Sequence, residues 1–539
     1  MAYQTINPST GEVIKRFTEI SDADLDATVA EAQAAFETWR QQPVKHRAKV
    51  LNAVAAKLRE NAEEYARYLT LEMGKLIAEA RGEVALSAAI IDYYAARAEA
   101  YLKPQPLPEA PGSIVEARPL GIIFGVEPWN FPYYQLARVA GPQLMVGNVV
   151  MIKHASNVPQ SALAFAQLFE DAGAPKGLYT NLFANFEQVA RLIDDPRIRG
   201  VTLTGSERAG AIVAERAGRN LKKSVMELGG SDPLIVLEDA PFEPTLDNAL
   251  WGRMNNTGQS CVAAKRIIVV GKNRGAAFLE GLKARMGALK TGDPFDPDTT
   301  LGPVCSEQAM HRLLEQIEAA RNGGAEVVLG GGRVKRPGFY VEATILTSIS
   351  RDNPIFRQEL FGPVMSFYVV DSEEEAIALA NATPYGLGGS VFTADLTRGR
   401  RLAARIESGM VFVNHPTWTA PELPFGGVKR SGYGRELSEL GFGEFVNRRL
   451  INVSPVGAPP PGVTRAANHS ASTRRSHDED GPRSILRCRP QAEAHHDLRQ
   501  PRIHRRNSAE ELSFRFSLRA RAAGSARRCD GGCLCPGDG

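Results

Sequence analysis

Cys261 ends the segment Asn256-Thr-Gly-Gln-Ser-Cys261 and is one of only two cysteines in the first 456 residues, with Cys305. Its thiolate would be a strong nucleophile, and a small fraction of an ordinary thiol is already ionised near neutral pH. In Met226-Glu227-Leu-Gly-Gly230, 34 residues upstream, a carboxyl group stands beside two glycines that could clear space for ligand and water. Earlier still, Glu127-Pro-Trp-Asn-Phe-Pro132 holds Trp129 and Asn130 between two prolines, so a stiff turn presents an amide able to donate to a developing oxyanion. Thr204-Gly205-Ser-Glu-Arg-Ala-Gly210 offers main-chain N–H groups at the start of a helix, a setting that suits a phosphate. Each segment also has an ordinary reading: a small buried side chain, a solvated acid, a rigid turn, a plain strand-to-helix connection. A papain-like centre would need a histidine beside Cys261, and His46, His154, His311 and His415 carry no local signature of that role. The G-x-G-x-x-G fingerprint is absent.

The elements around these residues alternate. Short apolar runs at 121–126, 148–153, 178–183, 200–204 and 233–237, with helical patterns over 161–172 and 208–217, predict strands buried on both faces of a doubly wound parallel sheet. Ligands bind such sheets beyond the carboxyl ends of the strands, where the Pro-Trp-Asn turn and Gly205 lie. A second alternation follows Cys261, with strands at 266–270, 327–329, 364–370 and 410–413 and helices near 276–286 and 307–321. A Gly-rich loop spans 425–434. Upstream, a helix opening at Ser21-Asp-Ala-Asp24 and one long helical stretch over about 45–72 read as scaffold. The Pro-rich segment 103–111 reads as an exposed crossing.

Taken in order, from about residue 5 to 453, these pieces resemble the aldehyde dehydrogenase superfamily. The joint order of the motifs and the spacing of Glu227 and Cys261 carry the resemblance. Within it the chain looks most like the NADP-type succinate-semialdehyde dehydrogenases, through Lys153-His-Ala-Ser156, Ala263-Ala-Lys-Arg266 and Pro424-Phe-Gly-Gly-Val-Lys-Arg-Ser-Gly-Tyr-Gly-Arg-Glu436. The resemblance implies an α/β fold: a dinucleotide-binding domain from 1–102 and 121–228, an α/β catalytic domain over 229–425, and a small β oligomerisation arm from 103–120 and 426–456. It implies Cys261 as nucleophile, Asn130 with the Cys261 N–H as oxyanion donors, and Glu227 as the base that activates water to release a free acid. Trp129, Asn130, Lys153, Ser156, Gly205, Ser206, Gly210, Leu228, Glu359 and Phe361 would then contact the cofactor. No metal is expected. A homodimer or homotetramer is.

Ser156 bears on the cofactor. Many NAD-preferring relatives place Glu three residues after the strand-end lysine, where it would repel a 2′-phosphate; a serine hydroxyl can donate to one and Lys153 adds positive charge. NADP is therefore expected, with NAD as a weaker alternative. Arg138, eight residues after Asn130, matches a carboxylate-binding arginine of mitochondrial-type succinate-semialdehyde dehydrogenases, whose fork holds a carboxylate in two bonds. A second arginine of that type is replaced by Asn255, with Arg253 two residues further back. Succinate semialdehyde is the expected substrate; glutarate semialdehyde or another ω-oxo acid stays open, as does a catalytically silent member.

Composition excludes other classes. Over 539 residues, 43% hydrophobic and 23% charged is ordinary for a globular chain and rules out a collagen, a long disordered chain or a disulfide scaffold. No apolar run reaches membrane-spanning length and no leader is visible, so a cytoplasmic protein without a membrane partner is expected. The net charge of +3 hides two chemistries: residues 457–539 hold 15 Arg, no Lys and 9 acids, whereas the preceding 456 are net acidic. That tail is too poor in apolar residues for a core. It is read as a non-functional extension from a shifted frame or lost stop rather than as an RNA-binding segment, so nucleic acid is not an expected partner.

Overall fold

Buried apolar strands alternate with helices, and burial on both faces explains why those strands read as continuous apolar runs. All six residues of Val149–His154 are buried, as are five of the six in Ile122–Glu127. The computed structural model describes residues 3–458; of the tail singled out above, all but Gly457 and Ala458 lies outside the described residues. Tyr179–Asn181, Val149–His154, Ile122–Glu127, Ile198–Thr204 and Lys223–Glu227 stand side by side in that order, all parallel. Chain order reverses between Ile122–Glu127 and Ile198–Thr204, the position at which a doubly wound sheet opens a ligand crevice. Both the Pro-Trp-Asn turn and Gly205 leave the sheet there.

A seven-stranded sheet follows, in the order Glu326–Leu329, Thr344–Thr347, Val364–Val370, Arg266–Val270, Pro233–Val236, Ser390–Phe392 and Phe412–Val413. It is parallel except for its first pair. A third, antiparallel sheet joins Val446–Asn452, Ser113–Pro119 and Gln105–Pro106. The α/β class with a doubly wound sheet and a small β sheet is thus present. Among the described residues no helix is long and apolar enough to cross a membrane.

Several expectations need correction. The stretch 45–72 is two helices, Val44–Glu60 and Ala62–Met73, separated at Asn61, whose φ of −108° and ψ of 25° leave helical geometry. Ile77–Tyr101, 25 residues long, was not anticipated; it is Ala-rich and buried on more than one side, which blurs the apolar stripe by which a surface helix is recognised. The Pro-rich crossing contains a short edge strand, Gln105–Pro106, a position where proline's missing N–H is tolerated. Gly432–Tyr433, assigned to the arm, instead closes the first sheet antiparallel to Lys223–Glu227. Gly432 has φ +105° and would put a Cβ against Met226 O, so only glycine allows that pairing.

Candidate active site

The Pro-Trp-Asn turn is held from three sides. The helix Pro132–Val146 begins with proline, and the Glu83 carboxylate accepts from the Tyr133 and Tyr134 N–H groups at 2.8 and 3.2 Å, placing negative charge at the helix start. Glu83 is itself ion-paired with buried Lys75, whose ammonium lies 4.1 Å from the Phe131 ring centroid. His154 braces the turn: its Nδ1 accepts from Ala155 N–H at 2.9 Å, which leaves Nε2–H to donate to Pro132 O at 3.2 Å. Burial pushes this imidazole down to about 4, so it is neutral at working pH and serves as a brace rather than a proton carrier. Asn130, 4% exposed, donates from Nδ2 to Gln259 O at 3.1 Å, which leaves its second N–H for a ligand oxygen.

Opposite it, the Cys261 loop is wound into a conformation side chains rarely adopt. Asn256, Thr257 and Gly258 have φ values of 58°, 55° and 72° in succession, and a non-glycine residue there costs roughly 1–2 kcal/mol. Surrounding groups enforce it. Asn256 N–H donates to Glu79 at 2.7 Å, and the Asn256 amide donates to Asn130 O at 2.9 Å. The wholly buried Arg253 guanidinium donates to Val364 O, Gly258 O, Leu360 O and Gly362 O, the first three at 2.8, 3.1 and 2.9 Å. Lys265 Nζ donates to Ser260 O at 2.7 Å and Cys261 O at 2.8 Å. Arg253 is therefore spent on main-chain carbonyls and cannot replace the missing second carboxylate-binding arginine. Cys261 is half-buried; burial pushes its thiol up to about 12, against the opposing pull of Lys265 and Arg138.

The two glycines after Glu227 have a different role from the one expected. A Cβ on Gly229 would stand 2.4 Å from Glu359 Oε2, and one on Gly230 would stand 2.4 Å from Cys261 O. They make room for protein groups rather than for ligand and water. Glu227 ends the strand Lys223–Glu227, level with Thr204, and is 2% exposed. Both its carboxyl oxygens are buried without a hydrogen-bond partner among the described residues. Burial, then the neighbouring Glu436, hold its carboxyl well above the usual range, with Arg138 and Arg435 opposing.

Arg138 stands in this pocket but faces a protein carboxylate. Its Nε lies 2.6 Å from Glu436 Oε2, Nη2 donates to Thr204 at 3.0 Å, and the guanidinium lies over Tyr134 and Phe425 at 4.6 and 4.8 Å. Its side chain is 1% exposed. Within the protein the guanidinium thus faces Glu436 as an ion pair and Thr204 as a hydrogen-bond acceptor. The tyrosine it supports, Tyr134, shares a 2.8 Å hydrogen bond with Thr419.

Lys153 lies near the end of the strand Val149–His154 and Ser156 just after it, while Gly205 and Ser206 follow another strand two positions away across the sheet. Lys153 is 8% exposed, and burial lowers its ammonium to about 8 with Glu19 opposing. Ser156 O accepts from Gln4 N–H at 3.0 Å, and Lys153 lies 5.4 Å from the Tyr3 ring, so the first strand, Tyr3–Ile6, backs both residues. Nothing in the sequence motifs pointed to that strand. Ser206 caps the helix Glu207–Arg219, its hydroxyl accepting from Ala209 N–H at 3.3 Å. Gly210 is a packing position, since a Cβ there would come 2.5 Å from Leu228 Cδ2. Trp129 and Phe361 meet edge to face at 5.7 Å, and Glu359 accepts from Gly230 N–H at 3.0 Å. A helix start and a buried ammonium at the same end of one parallel sheet fit a phosphate-bearing dinucleotide.

Residues 1–451 match the profile of the aldehyde dehydrogenase family. The chain is 49% identical over 463 residues to a succinate-semialdehyde dehydrogenase [NADP(+)] of Deinococcus radiodurans, covering 86% of this chain and 97% of that protein. It is 45% identical over 455 residues to succinate-semialdehyde dehydrogenase [NADP(+)] 1 of Mycobacterium tuberculosis, covering 84% and 99%. Among solved structures, succinic semialdehyde dehydrogenase from Streptococcus pyogenes in complex with NADP+ superposes with a TM-score of 0.83 at 46% identity, over 84% of this chain and all of that one. With Asn130, Glu227 and Cys261 brought to the crevice of this fold, the chain belongs to the aldehyde dehydrogenase family.

Proposed function

We propose that the protein oxidises succinate semialdehyde to succinate with NADP, using Cys261 as nucleophile, Asn130 as oxyanion donor and Glu227 as base. The observation that carries this is the meeting of the Asn130 amide with the Cys261 loop, through Gln259 O and Asn256, on the side of the crevice where Glu227 ends its strand. The Cys261 thiol gives its proton to solvent and Sγ bonds to the aldehyde carbon as the C=O electron pair moves onto oxygen; that negative oxygen is met by the remaining Asn130 N–H and the Cys261 N–H. A donor of this kind is worth about 2.7–4 kcal/mol in the transition state. A bound nicotinamide dinucleotide would supply the acceptor for the hydride on that carbon, and Cys261 would then carry the acyl group as a thioester. Glu227 then takes a proton from water, the water oxygen bonds to the acyl carbon, and the C–S bond breaks to give the acid and the free thiol.

Lys153, Ser156, Gly205 and Ser206 would hold the phosphate-bearing part of the cofactor. Trp129, Leu228, Glu359 and Phe361 would place the remainder. Gly210 supports Leu228 from beneath. Ser156 in place of an acid supports NADP over NAD, as do the names of the similar proteins. For the substrate's own carboxylate, Arg138 acts with the Tyr134 and Thr419 hydroxyls it stands behind. The free thiols among the described residues, Cys261 and Cys305, support a cytoplasmic setting. The exposed edge strand Val446–Asn452, with Leu450 60% exposed, supports a homodimer or homotetramer through the arm.

The test is cofactor reduction across aldehydes of graded length, with and without an ω-carboxylate, using NADP and NAD in parallel. The expected result is the highest kcat/KM with succinate semialdehyde and NADP. Preference for neutral aldehydes, or for NAD, would overturn the corresponding part.

A further inference from the structure

Lys265 sits between the nucleophile and the cofactor end, and the steps above give it no part. Its side chain is 1% exposed. Nζ donates to Ser260 O and Cys261 O at 2.7 and 2.8 Å and lies 3.1 Å from Glu359 Oε1, so three oxygens meet the three N–H bonds of one ammonium. Glu359 is held in turn by Gly230 N–H at 3.0 Å, with Gly229 leaving space for its other oxygen. In a site this dry a full charge acts on its neighbours far more strongly than it would in water. The charged groups facing the Cys261 thiol are Lys265 and Arg138, which favour the thiolate, and Glu359 and Asp232, which oppose it. Lys265 is the largest favourable influence and Glu359 is its direct counter-ion.

We propose that Lys265 is a positioning residue that aims Cys261 through its carbonyl and favours its thiolate, and that Glu359 holds this effect in check by pairing with the same ammonium. The inference rests on the reading of Cys261 as nucleophile. Only a proton moves: it leaves the Cys261 thiol for solvent, and no bond to carbon forms. A ligand that draws the Glu359 carboxylate away would leave the Lys265 charge acting on the thiol alone, so a filled cofactor seat would ready the nucleophile.

Alkylation of Cys261 by iodoacetamide tests this on the full chain without cofactor or aldehyde, followed from pH 6 to 10 with the labelled residue identified by mass spectrometry. Lys265→Met is expected to move the profile up by about one pH unit, slowing labelling roughly tenfold at a given pH. Glu359→Gln is expected to move it down and speed labelling. A purely structural role would slow or scatter both variants, whereas the proposal requires opposite shifts. Profiles that superimpose on the wild type, or that move the same way, would overturn it. If Lys265→Met does not fold, Glu359→Gln decides alone, and no acceleration overturns the proposal. A wild-type Cys261 that resists labelling at every pH would instead overturn its reading as nucleophile.

Discussion

The loop ending at Cys261 and the pocket around Glu227 face each other across one crevice, yet they are held in opposite ways. Around the loop, the charges of Arg253, Lys265 and Glu79 and the N–H groups of Asn256 have hydrogen-bond partners, many of them main-chain carbonyls, and the unpartnered atoms are neutral oxygens, Asn256 Oδ1 and Thr257 Oγ1. Around Glu227, both carboxyl oxygens are buried without such a partner among the described residues, with Glu436, Arg138 and Arg435 beside it. Bonds to charged groups contribute about 1.5–3 kcal/mol each, enough for a few of them to outweigh left-handed residues in the loop. An uncompensated carboxyl does the reverse and stays protonated longer. The difference suits the roles proposed for Cys261 and Glu227: a nucleophile must point one way, whereas a base must change its proton and its partner within each turnover.

The largest effect that could break this contrast is loss of the thiol. Cys261→Ala is expected to remove NADPH formation by roughly 10⁴-fold or more, read at 340 nm, while the thermal midpoint stays near that of the wild type. Next comes the frame of the loop. Arg253→Met leaves four carbonyls without their donor and is expected to cost about 3 kcal/mol or more in urea unfolding; an unchanged midpoint would mean the loop holds itself.

A smaller change concerns the cofactor end. Ser156→Glu should shift the ratio of kcat/KM for NADP over NAD by roughly 10–100-fold towards NAD, the size of one lost charge-assisted bond. The smallest effect sharpens the comparison by its sign. Burial raises the Glu227 carboxyl in the folded chain, so the native state binds its proton more tightly than the unfolded state does. Stability from this group is therefore full below the unfolded value and falls as pH rises from there. Glu227→Gln should then melt higher than the wild type at pH 8, and the gain should fade near pH 4. A lower melting point at pH 8 would contradict the account of the pocket.

The parts legible in the sequence are those that face a ligand. Asn130 lies between two prolines at the end of an apolar run, and Cys261 follows Glu227 at a fixed distance; parallel-sheet patterning puts Asn130 beside the crevice, whereas the strand Lys223–Glu227, with only Val225 and Met226 apolar, is not among the predicted runs. What was not legible works through main-chain atoms. His154 braces the turn by two peptide groups, Arg253 collects four carbonyls, and Lys265 collects two; no spacing of side chains records such partners. Gly229 and Gly230 pointed to open space, and the fold filled that space with Glu359 and the Cys261 carbonyl. Arg138 was read from its distance to Asn130, which says nothing of Glu436, 298 residues further along the chain. The Ile77–Tyr101 helix escaped notice because it is buried on several sides.

The division of labour between the rigid nucleophile and the unpaired base can be tested in one rapid-mixing experiment. NADPH is followed after mixing Glu227→Gln enzyme with NADP and succinate semialdehyde, beside the wild type. The account predicts a burst close to one NADPH per subunit, at nearly the wild-type rate, followed by turnover slowed roughly 10²–10⁴-fold because the thioester waits for a base. A missing burst, or steady turnover at the wild-type rate, would contradict it.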